Sequence, residues 1–181
     1  MRINNFFKLV IAVAVSESAG IIGSVFTMSS VAGWYAGIVK PEFNPPAWVF
    51  GPVWTALYAL MGISLFLIWS FKVPQDNKQH PNILENIRML RIRRWAIFFF
   101  FAQLVLNTLW SIIFFGWTSL TINGLNNIGI ALIEIVFLWL AILATIIIFA
   151  KISKLAAWLL VPYILWVSFA LYLNYAIWLL N

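Results

Sequence analysis

Cysteine is absent from all 181 residues, which rules out disulfides and thiolate metal sites. Charge is almost as scarce: 9% of the residues are Asp, Glu, Lys or Arg, against about a quarter in a soluble domain. Water is therefore not the main solvent of this chain. Histidine occurs once, at His80 in a polar stretch, so no pair of imidazoles can hold a haem iron within the apolar runs. Apart from Lys8 at the very start of the first, those runs contain no lysine, so a retinal Schiff base has no site inside the membrane. There is no P-loop, no Ser–His–Asp set and no metal-ligand cluster, which leaves hydrolytic chemistry without machinery.

What the chain has in abundance is apolar surface: 64% hydrophobic residues, with 11 Trp and 16 Phe. Five runs, about 7–28, 47–71, 95–116, 126–150 and 155–180, reach the roughly 17–25 residues that cross a bilayer as a helix. The expected fold is an all-α membrane protein, one domain over 1–181, built as a bundle of five transmembrane helices. Arg2 and Lys8 precede the first run as in a signal peptide, but the run resumes after Glu17 and reaches Met28, too long for a cleaved segment. Alternating sides places Arg2, Lys8, Lys72, Lys78, Arg88, Arg91, Arg93, Arg94, Lys151 and Lys154 on one face, and Lys40 alone on the other. The positive-inside rule then predicts a cytoplasmic N-terminus, an external C-terminus and an external loop between helices one and two; in a prokaryote the membrane would be the cell membrane. The net charge of +6 is accounted for by anionic lipid head groups, with no nucleic acid as partner.

Residues 72–94 form the longest polar connector, with a short amphipathic helix expected at 83–92. There Ile83, Ile87 and Leu90 recur at helical spacing around Glu85, Arg88 and Arg91. The connector GWTSLTINGLNN is short and uncharged, and KISK allows only a tight turn between spans four and five. Ala12, Ser16, Gly20 and Ser24 stand four apart, a small-residue stripe that suits either a seam inside the bundle or the face of a homodimer. No internal repeat supports an inverted-repeat transporter.

Polar side chains inside a bilayer are costly and mark interior positions. Span three carries Gln103, Asn107 and Ser111 on one face, with Trp110 beside them. Span five carries Trp166, Ala170 and Asn174, with Pro162 and Tyr163 one turn earlier. Span two carries Trp54 and Tyr58, with Met61 on the next turn. One reading has these amides bonding between helices while the aromatics fill space. The other has the three stripes wall a pocket for a large, flat, mostly apolar ligand, with a kink at Pro162 making room beside the break. Glu17 and Glu134 also lie within spans. They are either proton-handling or substrate-orienting groups, or buried groups bonded to a neighbouring Ser, Trp N–H or carbonyl.

The entrance to span two reads WYAGIVKPEFNPPAWVFGPVWTALYALMG, from Trp34 to Gly62. Pro45 and Pro46 end the loop and start the helix where a missing N–H does no harm. Pro41 and Pro52 stiffen either side, holding Trp34, Tyr35, Phe43 and Trp48 at the membrane surface, where aromatic rings also serve as plain anchors. Together with QLVLNTLWS and AAWLLVPYILWVSFALYLN, this stretch resembles the TspO/MBR family, the tryptophan-rich sensory proteins related to the mitochondrial translocator protein or peripheral benzodiazepine receptor. The resemblance implies that loop one is a lid over a ligand cavity, and that Tyr35, Pro46, Trp54, Asn107, Trp110, Trp166 and Ala170 contact the ligand. Tyr58, Gln103 and Asn174 join them from the stripes. It also implies porphyrins such as protoporphyrin IX and haem as ligands rather than cofactors, alongside isoquinoline and benzodiazepine drugs and, chiefly in animal members, cholesterol. An activity associated with some members, light-dependent breakdown of bound porphyrin, would make Trp54 and Trp166 the redox-active side chains. A lipid- or sterol-handling transporter is the other alternative. Two departures stand out: Phe43 occupies a position where the family often has Trp, and LYLNYAIWLLN lacks the basic residue of a cholesterol pattern.

Overall fold

The computed structural model of the protein describes residues 4–72 and 83–181, and five helical spans are long and apolar enough to cross a membrane. The expectations for Arg2, Lys78, His80 and the 73–82 part of the connector lie outside the described residues. Asn4 starts α1 (Asn5–Val31) by accepting from the Phe6 amide, which satisfies one of the orphan donors of the first turn. A single turn, α2 (Trp34–Gly37), follows in loop one. Pro46 then caps α3 (Ala47–Ser70) from an extended backbone, as the proline pair implies.

The third span differs from expectation. The helix α4 (Ile83–Ser111) runs without interruption from the predicted amphipathic segment into the apolar one, and continues as a π-helical turn, Ile112–Gly116. Its junction, RIRRW, contains neither Gly nor Pro, so nothing stops the helix where the polarity changes. The next connector is a small hairpin, β1 (Thr121–Ile122) on β2 (Leu125–Asn126), turning through Asn123 and Gly124 at φ 50° and 82°. An Asn-Gly pair is the sequence signal for such a turn. Asn126 caps α5 (Asn127–Ala150), its side chain accepting from the Gly129 amide at 3.0 Å.

Ser153, within KISK, caps α6 (Lys154–Leu159). The fifth span breaks at Leu160 and resumes as α7 (Val161–Leu180), with Pro162 in its first turn. There the ring lacks only an N–H that the new helix would leave unpaired.

Lipid tails are as apolar as leucine, so helices associate through close packing and polar bonds. Both occur here. Ala12 and Ser16 are fully buried where α1 meets α3, and the Gly62 backbone lies against that of Val13. Ala12, Ser16 and Gly20 therefore form an internal seam, while Ser24 is exposed. Ser64 donates to the Ala156 carbonyl at 2.7 Å, fastening α3 to α6. Arg93 donates to the Trp69 carbonyl at 2.6 Å, fastening α4 to the end of α3. The outward faces carry Ile21, Phe98, Phe137 and Leu165, apolar and exposed as lipid-facing side chains must be.

Candidate functional site

The bundle is tight at the end remote from α2 and hollow at the end nearest it. A cavity of about 440 Å³ lies between the α2-side halves of α1, α3, α4 and α7. Its walls include parts of the predicted stripes. On α3 the spacing of four residues gives Phe50, Trp54 and Tyr58; α4 and the π-helical turn after it give Trp110 and Phe114; on α7 the spacing gives Trp166, Ala170 and Asn174. Phe50 and Phe114 continue the same faces and were findable by carrying the spacing one step further. The α1 wall, from Glu17 through Gly20 and Ser24 to Val31, has no aromatic residue on it and so gave no such signal.

The aromatic walls hold one another. Trp54 stacks on Tyr58 with centroids 5.5 Å apart, and its face meets Tyr163 edge-on at 6.2 Å. Trp110 stacks on Phe114 at 5.1 Å, and Phe50 meets Trp166 edge-on at 6.0 Å. Hydrogen bonds then fix the orientation. The Trp110 indole N–H donates to Asn174 Oδ1 at 3.0 Å, and Asn174 Nδ2 donates to the Ile128 carbonyl at 3.0 Å, so a single amide joins α4, α7 and α5. The Tyr58 hydroxyl donates to Asn107 Oδ1, tying α3 to α4. The Tyr58 ring also lies directly over Gly20, where any β-carbon would strike it.

Tyr35, Trp54, Tyr58, Trp110, Trp166, Ala170 and Asn174 all line the cavity. Pro46, Gln103 and Asn107 do not. Pro46 is the N-cap of α3, at the rim. Asn107 stands behind Tyr58 and bonds it, and Gln103, a turn deeper, is 1% exposed with neither amide atom bonded among the described residues. Helical spacing identifies a face but not how far along it a cavity extends. For the same reason the break before Pro162 is not at the cavity. The α7 wall begins at Trp166, a turn further along.

The two carboxylates part company. Glu134, on α5, is not on the cavity wall, and both of its oxygens are buried without a partner among the described residues. Glu17 is on the wall, part-exposed, and Ser16 and Ser18 donate to carbonyls of their own helix, so among the described residues it is not bonded to a neighbouring serine, one of the partners considered for it.

Loop one covers the α2 end. Tyr35 is buried, its ring edge-on to Phe114 and Phe115 at 6.3 and 5.5 Å, and its hydroxyl donates to Asn44 at 3.1 Å. Burial raises its phenol above the ordinary range, so it stays a neutral donor. The Lys40 ammonium sits 4.9 Å from the centre of the same ring. Two contacts fasten the loop to α7. Phe43 stacks on Tyr172 at 5.2 Å and 19°, a contact made by the ring alone, so it does not need the indole N–H of the family's usual Trp. The Asn181 side chain accepts from the Val39 N–H and donates to the Val39 carbonyl, both at 2.9 Å. Trp48 takes no part and is 75% exposed, as an interfacial anchor is. Asn181→Ala is expected to raise hydrogen exchange at the Val39 amide about tenfold, the equivalent of one lost bond. Exchange in α3 and α5 should not change.

Comparison with known proteins agrees with this architecture. The profile of the TspO/MBR family matches residues 12–179. A tryptophan-rich protein TspO of Archaeoglobus fulgidus is 41% identical over 177 residues, covering 98% of this chain and 99% of its own. The human translocator protein is 34% identical over 157 residues, covering 87% and 80%, and the tryptophan-rich sensory protein of Cereibacter sphaeroides is 32% identical over 148 residues, covering 82% and 77%. With five apolar spans and a match along nearly its whole length, this multi-pass integral membrane protein belongs to the TspO/MBR family.

Proposed function

We propose that the chain is a membrane-embedded binding and sensing protein for porphyrins, protoporphyrin IX and haem among them, and for similar flat hydrophobic ligands. The observation that carries this reading is the cavity. At about 440 Å³ it falls within the roughly 300–1,000 Å³ of small-molecule sites. Indole and phenol rings from three helices wall it, and loop one lies over its end. Stacking and shape would hold the macrocycle, because the wall offers no His or Cys to take an iron axially. In the orientation we propose, loop one and the C-terminus are external and the N-terminus is cytoplasmic, following the ten-to-one split of basic residues in the sequence.

The test is a spectral titration of detergent-purified protein with protoporphyrin IX, haem and a sterol, in the dark and under illumination. Porphyrin should quench tryptophan fluorescence saturably, and Trp54→Ala should weaken binding about tenfold, in line with roughly 1–3 kcal/mol for stacking one flat ring on an aromatic side chain. Absence of saturable quenching, or an unchanged affinity in Trp54→Ala, would sink the proposal. A new absorbing product that forms only in light, only with protein, and not in Trp54→Phe or Trp166→Phe would favour photochemical breakdown over binding alone. Sterol competition with porphyrin would favour lipid handling.

A further inference from the structure

We infer that Glu17 makes this cavity selective for ligands that present a cationic nitrogen or an N–H donor to the α1 wall. The inference rests on reading the cavity as a ligand site, and not on that ligand being a porphyrin.

Glu17 opens the face of α1 that lines the cavity, followed at helical spacing by Gly20, Ser24 and Thr27. An ionisable group within a membrane span normally pairs with a basic side chain or a set of donors. Here the wall contains neither Lys nor Arg. The hydroxyl donors on the same side are already committed. Ser18, Ser24 and Thr27 donate to carbonyls of their own helix, and Thr55 donates to the Gly51 carbonyl across the opening. Tyr58, the nearest phenol along the wall, gives its proton to Asn107. Ser111 sits against Gly23, well along α1 from Glu17, and serves the other end of the wall.

The result is an acceptor on a largely apolar chamber to which no described residue donates: of the wall's indoles, Trp110 gives its N–H to Asn174, and the buried Trp166 N–H has no partner among the described residues. An occupant that brings its own donor gains a charge-assisted bond in a medium of low dielectric, where such bonds are about twice as strong as neutral ones. An occupant with only carbon at that edge leaves the carboxylate desolvated. A carboxylate-bearing ligand must turn its acid groups away from α1. For a porphyrin, whose N–H groups lie inside the ring and not at its rim, this turns the acidic side chains away from α1 and towards loop one, where Lys40 lies.

Two planar fluorescent probes of similar size separate charge from shape: 9-aminoacridine, a cation at neutral pH, and uncharged anthracene. Both are titrated into protein in a neutral maltoside detergent. The wild type should bind the amine more tightly, and Glu17→Gln should weaken it about tenfold while leaving anthracene unchanged. Glu17→Asp, which keeps the carboxylate, should retain the preference and shows that loss in Glu17→Gln is not loss of fold. Equal weakening of both probes, or an unchanged amine affinity in Glu17→Gln, overturns the role given to Glu17. If neither probe binds the wild type, the ligand site itself is refuted and this inference goes with it.

Discussion

Asn174→Leu is expected to lower the thermal midpoint of the detergent-solubilised protein and to weaken ligand binding at least tenfold, although leucine keeps the number and branching of asparagine's side-chain heavy atoms. Asn174 is 1% exposed, and its amide links the Trp110 indole, on the cavity wall, to the Ile128 carbonyl at the start of α5. Leucine removes both bonds at once, and it leaves the Trp110 N–H without its partner. Interhelical hydrogen bonds in membrane proteins contribute about 0.6 kcal/mol on average and up to about 1.7. Two of them together come to roughly 1–3 kcal/mol.

The binding loss comes by a separate route. Trp110 is held stacked on Phe114 partly by that bond. Once released, its ring can turn about χ2 and present an edge where the cavity now has a face. Trp110→Phe is the control. It removes the donor but leaves the Ile128 carbonyl bonded to Asn174, so it should cost about half the stability of Asn174→Leu. Circular dichroism melts and tryptophan-quenching titrations on both variants check this. Equal melting points for wild type and Asn174→Leu would show that the amide is not a structural joint.

The architecture was readable from one dimension because the bilayer imposes it: a spanning helix must be long and apolar. The spans begin and end within a few residues of where hydropathy places them, with the exception of α4, whose polar first turns continue smoothly into the membrane segment. The site was readable for a different reason. Trp54 with Tyr58, and Trp166 with Asn174, are mixed stripes that have no use facing lipid. Depth was not readable. Gln103, Asn107 and Trp110 share a side of one helix, yet only Trp110 touches the cavity, because the packing of Tyr58 over Gly20 closes the chamber above the other two. Nor was the role of Asn181 visible. Its partner, Val39, is remote in sequence, and only the fold brings them together.

Gly62→Ala should destabilise the protein far more than the addition of one methyl group suggests. A β-carbon at Gly62 would stand 2.5 Å from the Val13 Cα and 2.9 Å from both the Val13 nitrogen and Cγ2. Side chains can rotate away from such a contact; a helix backbone cannot. The helices α1 and α3 must therefore separate, and the loss spreads along the seam to Ala12, Ser16 and Met61, all of them fully buried. Overpacking of this kind costs roughly 1–3 kcal/mol and sometimes more. At about 2–4 °C per kcal/mol for a chain of this length, the midpoint should fall by roughly 5–10 °C. Adding Val13→Ala removes Cγ2 but not Cα, so the double variant should stay destabilised. Recovery of the wild-type midpoint in that double variant would mean that the contact is between side chains alone, and that the seam is looser than its geometry indicates.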